Sequence, residues 1–262
     1  MSTFQPQNKT ELQTAVDAWV SNQSSATATY GAINTWNTSA VTDMSNLFSK
    51  SRNSNMSGFN SDISNWNTSN VTDMSTMFFG ANSFNNGDNG NNQAKSLNNW
   101  DVSKVTSMAS MFRDAYAFNQ PLEQWNVGNV TNMQSMFTSA IAFNQDISIW
   151  DTSNVTSISY MFAGAISMDQ PLQYWNTSSV TGNPFYSGYD GTFQDATAMI
   201  ARGFYATPNS GQFNQPLPAG SNTGSSGVQA ELQAIDNDDT TATLSNPSDN
   251  KKRLAIALAK LT

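Results

Sequence analysis

The sequence predicts an α/β solenoid: about six stacked coils of 25 residues, each a short helix followed by a short extended segment, with a helical cap at the N-terminal end. Three observations carry this. Tryptophan returns at Trp36, Trp66, Trp100, Trp125, Trp150 and Trp175, at intervals of 30, 34, 25, 25 and 25 residues, and a fixed period in this range marks a stacked repeat. Each interval carries one pattern, W-[ND]-[TV]-[SG]-x-V-T-x-[MI]-x-x-[MLY]-F-x-x-A-x-x-F-N-Q-x-[LI], with departures in individual units. The composition is 38% apolar and 11% charged, yet holds seven Trp and fifteen Phe. That is too aromatic for a disordered chain, and it suits buried groups recurring at fixed sites on a polar frame.

The elements follow in chain order. Thr10–Val20 opens with a capping-box pattern, Thr10 and Gln13, and then places Leu12, Val16, Trp19 and Val20 on one face; residues 1–30 are read as the cap of the first coil. Residues 31–218 are the repeat. In its fourth unit Val130, Met133, Met136, Phe137 and Ala140 fall within an arc of about 120° at helical pitch, which predicts a helix, with a preceding Ser or Thr as its N-cap. Phe143–Trp150 reads as a turn and a short extended segment, with Phe143, Ile147 and Trp150 as its apolar points.

The six tryptophans, together with Phe112, Phe137 and Phe162, are the expected core. Asn60, Asn85, Asn119, Asn144 and Asn214 share one position, with Asp169 in the fifth unit; a stacked Asn there would bond the backbone of the neighbouring coil. The 30- and 34-residue intervals exceed 25 by five and nine residues, which places insertions at Ser49–Gly58 and Gly87–Lys95. Two further insertions, Gly182–Gly191 and Thr197–Gly211, hold Phe185, Tyr186, Tyr189, Phe204 and Tyr205. They read either as a cap over the last coil or as an aromatic platform for a glycan or partner protein. Residues 219–262 read as a flexible linker, AGSNTGSSG at its start, and an amphipathic helix. That helix has Leu254, Leu258 and Leu261 on one side, and residues 250–262 either fold back as a cap or join a second subunit in a homo-oligomer.

The chemistry is bounded as firmly by what the chain lacks. A net charge of −8 repels phosphate backbones and anionic membranes, so no nucleic-acid partner is expected. With no His and no Cys, the triads built on them and thiolate metal sites cannot form. No phosphate-binding glycine loop is present. The repeat carboxylates Asp43, Asp73, Asp101 and Asp151 stand where other units have Ser or Asn, which suits solvated edges of coils rather than an acid–base pair. DNDD at 236–239 lacks the glycine and the twelfth-position Glu of a calcium loop. Met44, Met74, Met108 and Met133, and Met77, Met111, Met136 and Met161, share the apolar arc and read as core. A Thr row at Thr38, Thr68, Thr152 and Thr177 is interrupted by Val102 and Val127 and is set aside as an ice-binding array. No enzyme activity, cofactor or metal is expected. No apolar run reaches the length of a membrane span, and the first ten residues are polar, without the apolar stretch of a secretory signal.

The units NWDVSKVTSMASMFRDAYAFNQPLEQW and IWDTSNVTSISYMFAGAISMDQPLQYW resemble the BspA-like leucine-rich-repeat surface proteins, a group that includes the repeats of mycoplasma lipoproteins. The resemblance covers roughly residues 31–217. It implies a leucine-rich-repeat-like α/β solenoid, surface display and adhesion, and no catalytic residues. The expected function is therefore recognition of a protein or glycan partner at a cell surface, in the extracellular space or on a virion. The alternative is a structural subunit of a virion, fibre or other assembly. The expected partner-binding residues lie in the insertions: Arg52 in the first, Asp88 and Asn89 in the second, and Tyr186, Tyr189 and Tyr205 in the late ones.

Overall fold

In the computed structural model the described residues are 3–88, 96–181, 188, 190–204, 208, 212 and 213. The chain divides into two units, Met1–Asn214 and Gln215–Thr262, and the described residues all belong to the first. The expected linker and C-terminal helix lie outside them.

Helix α1 spans Lys9–Ser21. Its cap is two residues earlier than the sequence suggested. Asn8 Oδ1 accepts from the Glu11 amide at 3.0 Å, and Glu11 Oε2 accepts from the Gln7 amide at 2.9 Å. A carboxylate in the first turn also faces the positive end of the helix, an advantage that Gln13 lacks. Leu12, Ala15, Val16 and Trp19 form its buried face. Asn22 ends α1 and caps α2, Gln23–Tyr30, by accepting from Ser25 N at 3.0 Å. The first coil's outermost indole, Trp36, is covered by Phe4, Trp19 and Tyr30 at centroid distances of 5.3, 6.0 and 6.1 Å.

The expected helix in each coil does not form. In the fourth unit the amides of Met133, Ser135, Phe137 and Ser139 cross to the carbonyls of Ser157, Ser159, Met161 and Ala163 in the next coil, at 3.1, 2.8, 2.8 and 2.7 Å. The amides between them close tight turns: Met136 to Met133, Thr138 to Ser135 and Ala140 to Phe137. Ser135 and Ser139 both have φ 56°, as do Tyr160 and its neighbours in kind, Ser110 at 55° and Asp114 at 59°. Two left-handed residues four apart turn alternate peptides along the stack instead of back onto their own turn.

A row of isolated parallel bridges, Asp43 to Asp73 to Ser107 to Asn132 to Ser157, runs through the segment that was expected to be helical, not through the expected extended segment at Phe143–Trp150. No β-strand forms among the described residues, and the elements beyond α1 and α2 are one-turn 3-10 helices and the short α3, Thr197–Ala201. The α/β leucine-rich-repeat-like solenoid, with a helix and an extended segment in each coil, is therefore overturned for these residues. The reason is spacing. Adjacent coils are hydrogen-bonded backbone to backbone along this whole segment, which is strand-like separation. Neighbouring helices would need axes 8–10 Å apart.

The apolar pattern nonetheless points inward, because three-residue turns return side chains to one side nearly as a helix does. Val130, Met133, Met136, Phe137 and Ala140 are all fully buried. Phe112, Phe137 and Phe162 stack at 5.6 Å between successive rings. Trp100, Trp125, Trp150 and Trp175 stack at 6.3–6.4 Å with planes within 8°.

Tryptophan rather than phenylalanine holds its row because its N–H is used. Trp125 Nε1 donates to Leu97 O at 2.8 Å, Trp150 to Leu122 O at 3.0 Å and Trp175 to Ile147 O at 3.0 Å. Each of these carbonyls also accepts the backbone amide of its own coil's tryptophan, so one oxygen ties two coils. The Asn row acts similarly: Asn60, Asn85, Asn119 and Asn144 each accept, through Oδ1, the backbone amide of the residue below, Asn85, Asn119, Asn144 and Asp169. The Thr row is interior: Thr38, Thr68 and Thr152 are buried and donate to Asn67, Asp101 and Asn176 carbonyls. No buried side-chain nitrogen or oxygen among the described residues lacks a partner.

The first insertion carries its own anchor, a 3-10 turn at Ser54–Gly58 that buries Met56, followed by Phe59, whose ring stacks on Phe48 at 4.2 Å. In the last insertion Met199 of α3 is buried, and Phe204 turns inward onto Phe193 and Phe213.

Two stability measurements check this architecture. Trp125→Ala should lower the unfolding free energy by about 3–5 kcal/mol in urea titration. At the left-handed position 110, stability should fall in the order Gly, Ser, Val, with Ser110→Val costing about 1–2 kcal/mol; a helix there would favour Val over Gly and reverse the order.

Candidate partner-binding groove

The outward side of the bridge row starts with threonine. Thr72, Thr106, Thr131, Thr156 and Thr181 each donate a backbone amide to the preceding Thr carbonyl at 2.8–3.1 Å. Their side chains are exposed, and the hydroxyls of the first four also donate to that carbonyl at 2.9–3.2 Å.

The next position is Asp43, Asp73, Ser107, Asn132 and Ser157 in successive coils. Four of these side chains, all but Ser107, accept the amide two residues on: Ser45 at 2.7 Å, Ser75 at 2.8 Å, Gln134 at 2.9 Å and Ser159 at 3.4 Å. This shared local bond is why Asp, Asn and Ser exchange there. Its consequence is electrostatic: the row is anionic in the first two coils and neutral in the next three.

Asp43 is further held by Lys9, whose Nζ lies 3.0 and 3.1 Å from its two oxygens and also reaches Ser45. Burial alone would raise the Asp43 carboxyl. The Ser45 hydroxyl and amide and the Lys9 ammonium outweigh it and hold the group below the usual carboxylate range.

Where the row turns neutral, the surface is hollowed. A groove of about 730 Å³ is lined by Thr131, Asn132, Gln134, Ser135, Thr138, Thr156, Ser157, Ser159, Tyr160 and Arg113. It contains no carboxylate. The Gln134 side chain is exposed and makes no intramolecular hydrogen bond. Tyr160, at φ 56°, is 37% exposed. Its ring lies so close to Gly191 that a Cβ there would sit 2.5 Å from Cε1, so only glycine fits beside it.

Arg113 differs from the other described arginines. Arg52 donates to Asp17 Oδ2 at 2.7 Å and to Leu47 O at 2.6 Å. Arg202 donates to Asp169 Oδ1 at 2.6 Å and to its carbonyl at 3.0 Å. The Arg113 side chain makes no hydrogen bond; it lies over the Phe79 ring at 5.6 Å, with the Asp114 carboxylate at 3.7 Å, and it is 45% exposed.

Of the expected partner-binding residues only Arg52 and Asp88 are among the described residues. Arg52 turns inward and clamps α1 to the first coil. Asp88 sits half-buried in the turn after Asn85, its amide donating to Asn85 O. Asn89, Tyr186, Tyr189 and Tyr205, and residues 250–262, lie outside the described residues. Arg113 and Tyr160 were missed, though a signal existed. Arg113 stands where other units have Ser49, Phe79, Thr138 and Ala163, and Tyr160 where they have Asn46, Thr76, Ser110 and Ser135. Both are large departures at outward positions.

Among the described residues no three carboxylates converge as a metal site would require, and no helix is long and apolar enough to cross a membrane. The molecule is thus a stacked-repeat protein with a polar groove on its ladder side whose described lining residues carry no carboxylate. The family described as Mycoplasma protein of unknown function, DUF285, matches residues 15–96 and 87–199, and the chain belongs to it. Comparison with curated proteins and with solved structures gave no match.

The Lys9–Asp43 pair sets a pH dependence. A folded-state value below the unfolded one, about 3.9, gives stability that is present above about pH 4 and lost as pH falls through the folded value. Asp43→Asn, which keeps the bond from the Ser45 amide, should cost about 0.2–1 kcal/mol at pH 6. The difference from the parent should shrink as pH falls through the lowered folded-state value in parallel urea titrations.

Proposed function

We propose that this protein is a non-enzymatic recognition module, displayed on a cell or particle surface, that binds a protein or glycan partner through the Thr131–Tyr160 groove. The observation that carries this is the coincidence of the hollow with the stretch where the ladder loses its carboxylates. A lining of hydroxyls and amides, with one aromatic ring and one guanidinium, suits a partner that is itself rich in hydroxyls or amides. Family membership and the resemblance to BspA-like surface proteins support the surface address. The absence of any carboxylate in the groove, in a chain without His or Cys, supports binding without chemistry.

Gln134→Trp fills the groove from an exposed position that has no internal partner. On an array of matrix proteins and oligosaccharides the parent should bind a subset, and the variant should lose at least tenfold in affinity at an unchanged melting temperature. Equal binding by the two proteins would place recognition elsewhere.

A further inference from the structure

We infer that the groove takes a glycan carrying a single carboxylate, such as an oligosaccharide ending in one uronic acid, with Arg113 as the counter-charge and Tyr160 as the platform for a sugar ring. This rests on the groove reading above and adds the ligand class.

The argument begins with Arg113. A guanidinium presents five N–H donors in a fork that matches a carboxylate. Arg52 and Arg202 spend theirs on carboxylates and carbonyls of the protein itself. Arg113 spends none, and it lines a groove without acidic groups. Its contact with Phe79 holds the side chain while leaving the donors unbonded. Asp114 at 3.7 Å offsets part of its charge without satisfying the fork.

Tyr160 supplies the second half. Its position requires a left-handed residue, which is costly for a bulky side chain, and its ring rests against Gly191. An exposed aromatic held in one orientation offers a face for the C–H side of a pyranose ring at small entropic cost. The Thr131 and Thr156 hydroxyls and the Gln134 amide line the same hollow and match sugar hydroxyls.

The net charge limits how anionic the ligand is. The chain carries −8, and the same ladder is acidic at Asp43 and Asp73. Screening over about 8 Å at physiological ionic strength lets one carboxylate meet Arg113, while a polyuronate would extend along acidic surface.

The test uses the full chain and three probes in titration calorimetry: a trisaccharide ending in one glucuronic acid, its methyl ester, and an acidic tripeptide. The acid should bind the parent at least tenfold more tightly than the ester. Arg113→Gln should abolish that preference while retaining ester-level binding, and Arg113→Lys should restore part of it. Gln134→Trp should remove both sugars. If acid and ester bind the parent equally and Gln134→Trp removes both, the groove reading stands and the carboxylate inference fails. If neither sugar binds, the glycan assignment falls; if the tripeptide binds more tightly than the acid, the groove is a peptide site. Melting curves of each variant separate loss of ligand from loss of fold.

Discussion

Along the Val-Thr-x-Met-x-x-Met-Phe-x-x-Ala segment alternate amides are bonded to a neighbouring coil rather than to their own, that of the Thr to the coil before and those from the first Met onward to the coil after, and the rest of the molecule follows from that. Because the crossing amides fix neighbouring coils at hydrogen-bond distance, no helix has room to form. Because they must point along the stack while the side chains point inward, left-handed residues four apart recur in the crossing segment: Thr76 and Gly80, Ser110 and Asp114, Ser135 and Ser139, Tyr160 and Gly164. A non-glycine residue there costs about 1–2 kcal/mol, comparable with the roughly 0.5–1.5 kcal/mol net of one hydrogen bond. The conformation holds because each left-handed residue serves several bonds, its own amide and those of the turn it opens.

The same close spacing turns single residues into rows. Phe over Phe, indole over indole and Asn over Asn are consequences of equal coil length, and a one-residue slip would break all of them together. This explains where the extra residues of the two long intervals sit. Both follow the crossing segment and precede the next Trp, so in these two units the ladder is not interrupted. The ends need separate solutions. At the first coil Phe4, Trp19 and Tyr30 replace the missing neighbour of Trp36, and Lys9 and Arg52 pin the helix that carries Trp19 through Asp43 and Asp17.

Much of this was legible in the sequence, and the part that was not has a physical cause. The repeat length, the inward face and the role of the Asn row could be read because they depend on side-chain type and spacing. The backbone could not. Turns of three residues and helical turns of 3.6 both bring Val130, Met133, Met136, Phe137 and Ala140 to one side, and hydrophobic periodicity cannot separate them over so short a segment. The hint lay at Ser110, Asp114, Ser135 and Ser139. Ser and Asp form helices poorly and tolerate turns, and they recur where the left-handed residues are. The cap was misplaced for a similar reason: Asn8 with Glu11 and Thr10 with Gln13 satisfy the same spacing rule, and charge at the helix terminus decided between them.

The groove was invisible for the opposite reason, since it is defined by departures from the repeat and not by the repeat. A position that touches both neighbouring coils is constrained twice, which is why Trp, Phe and Met scarcely vary. Outward positions are constrained only by their own turn, so Asp, Asn and Ser exchange freely at the ladder, all but Ser107 accepting the amide two residues on. Freedom of that kind lets charge be redistributed without disturbing the fold. Asp at the first two coils and Ser or Asn at the next three leave every backbone bond in place, yet they change the potential over the hollow that Arg113 faces. A residue as large as Tyr160 at a left-handed position, or an arginine whose donors the protein itself leaves unbonded, adds nothing to the stacking on which the fold depends. Such residues are the ones in a regular repeat that the stacking does not explain, and the proposed groove reading rests on them.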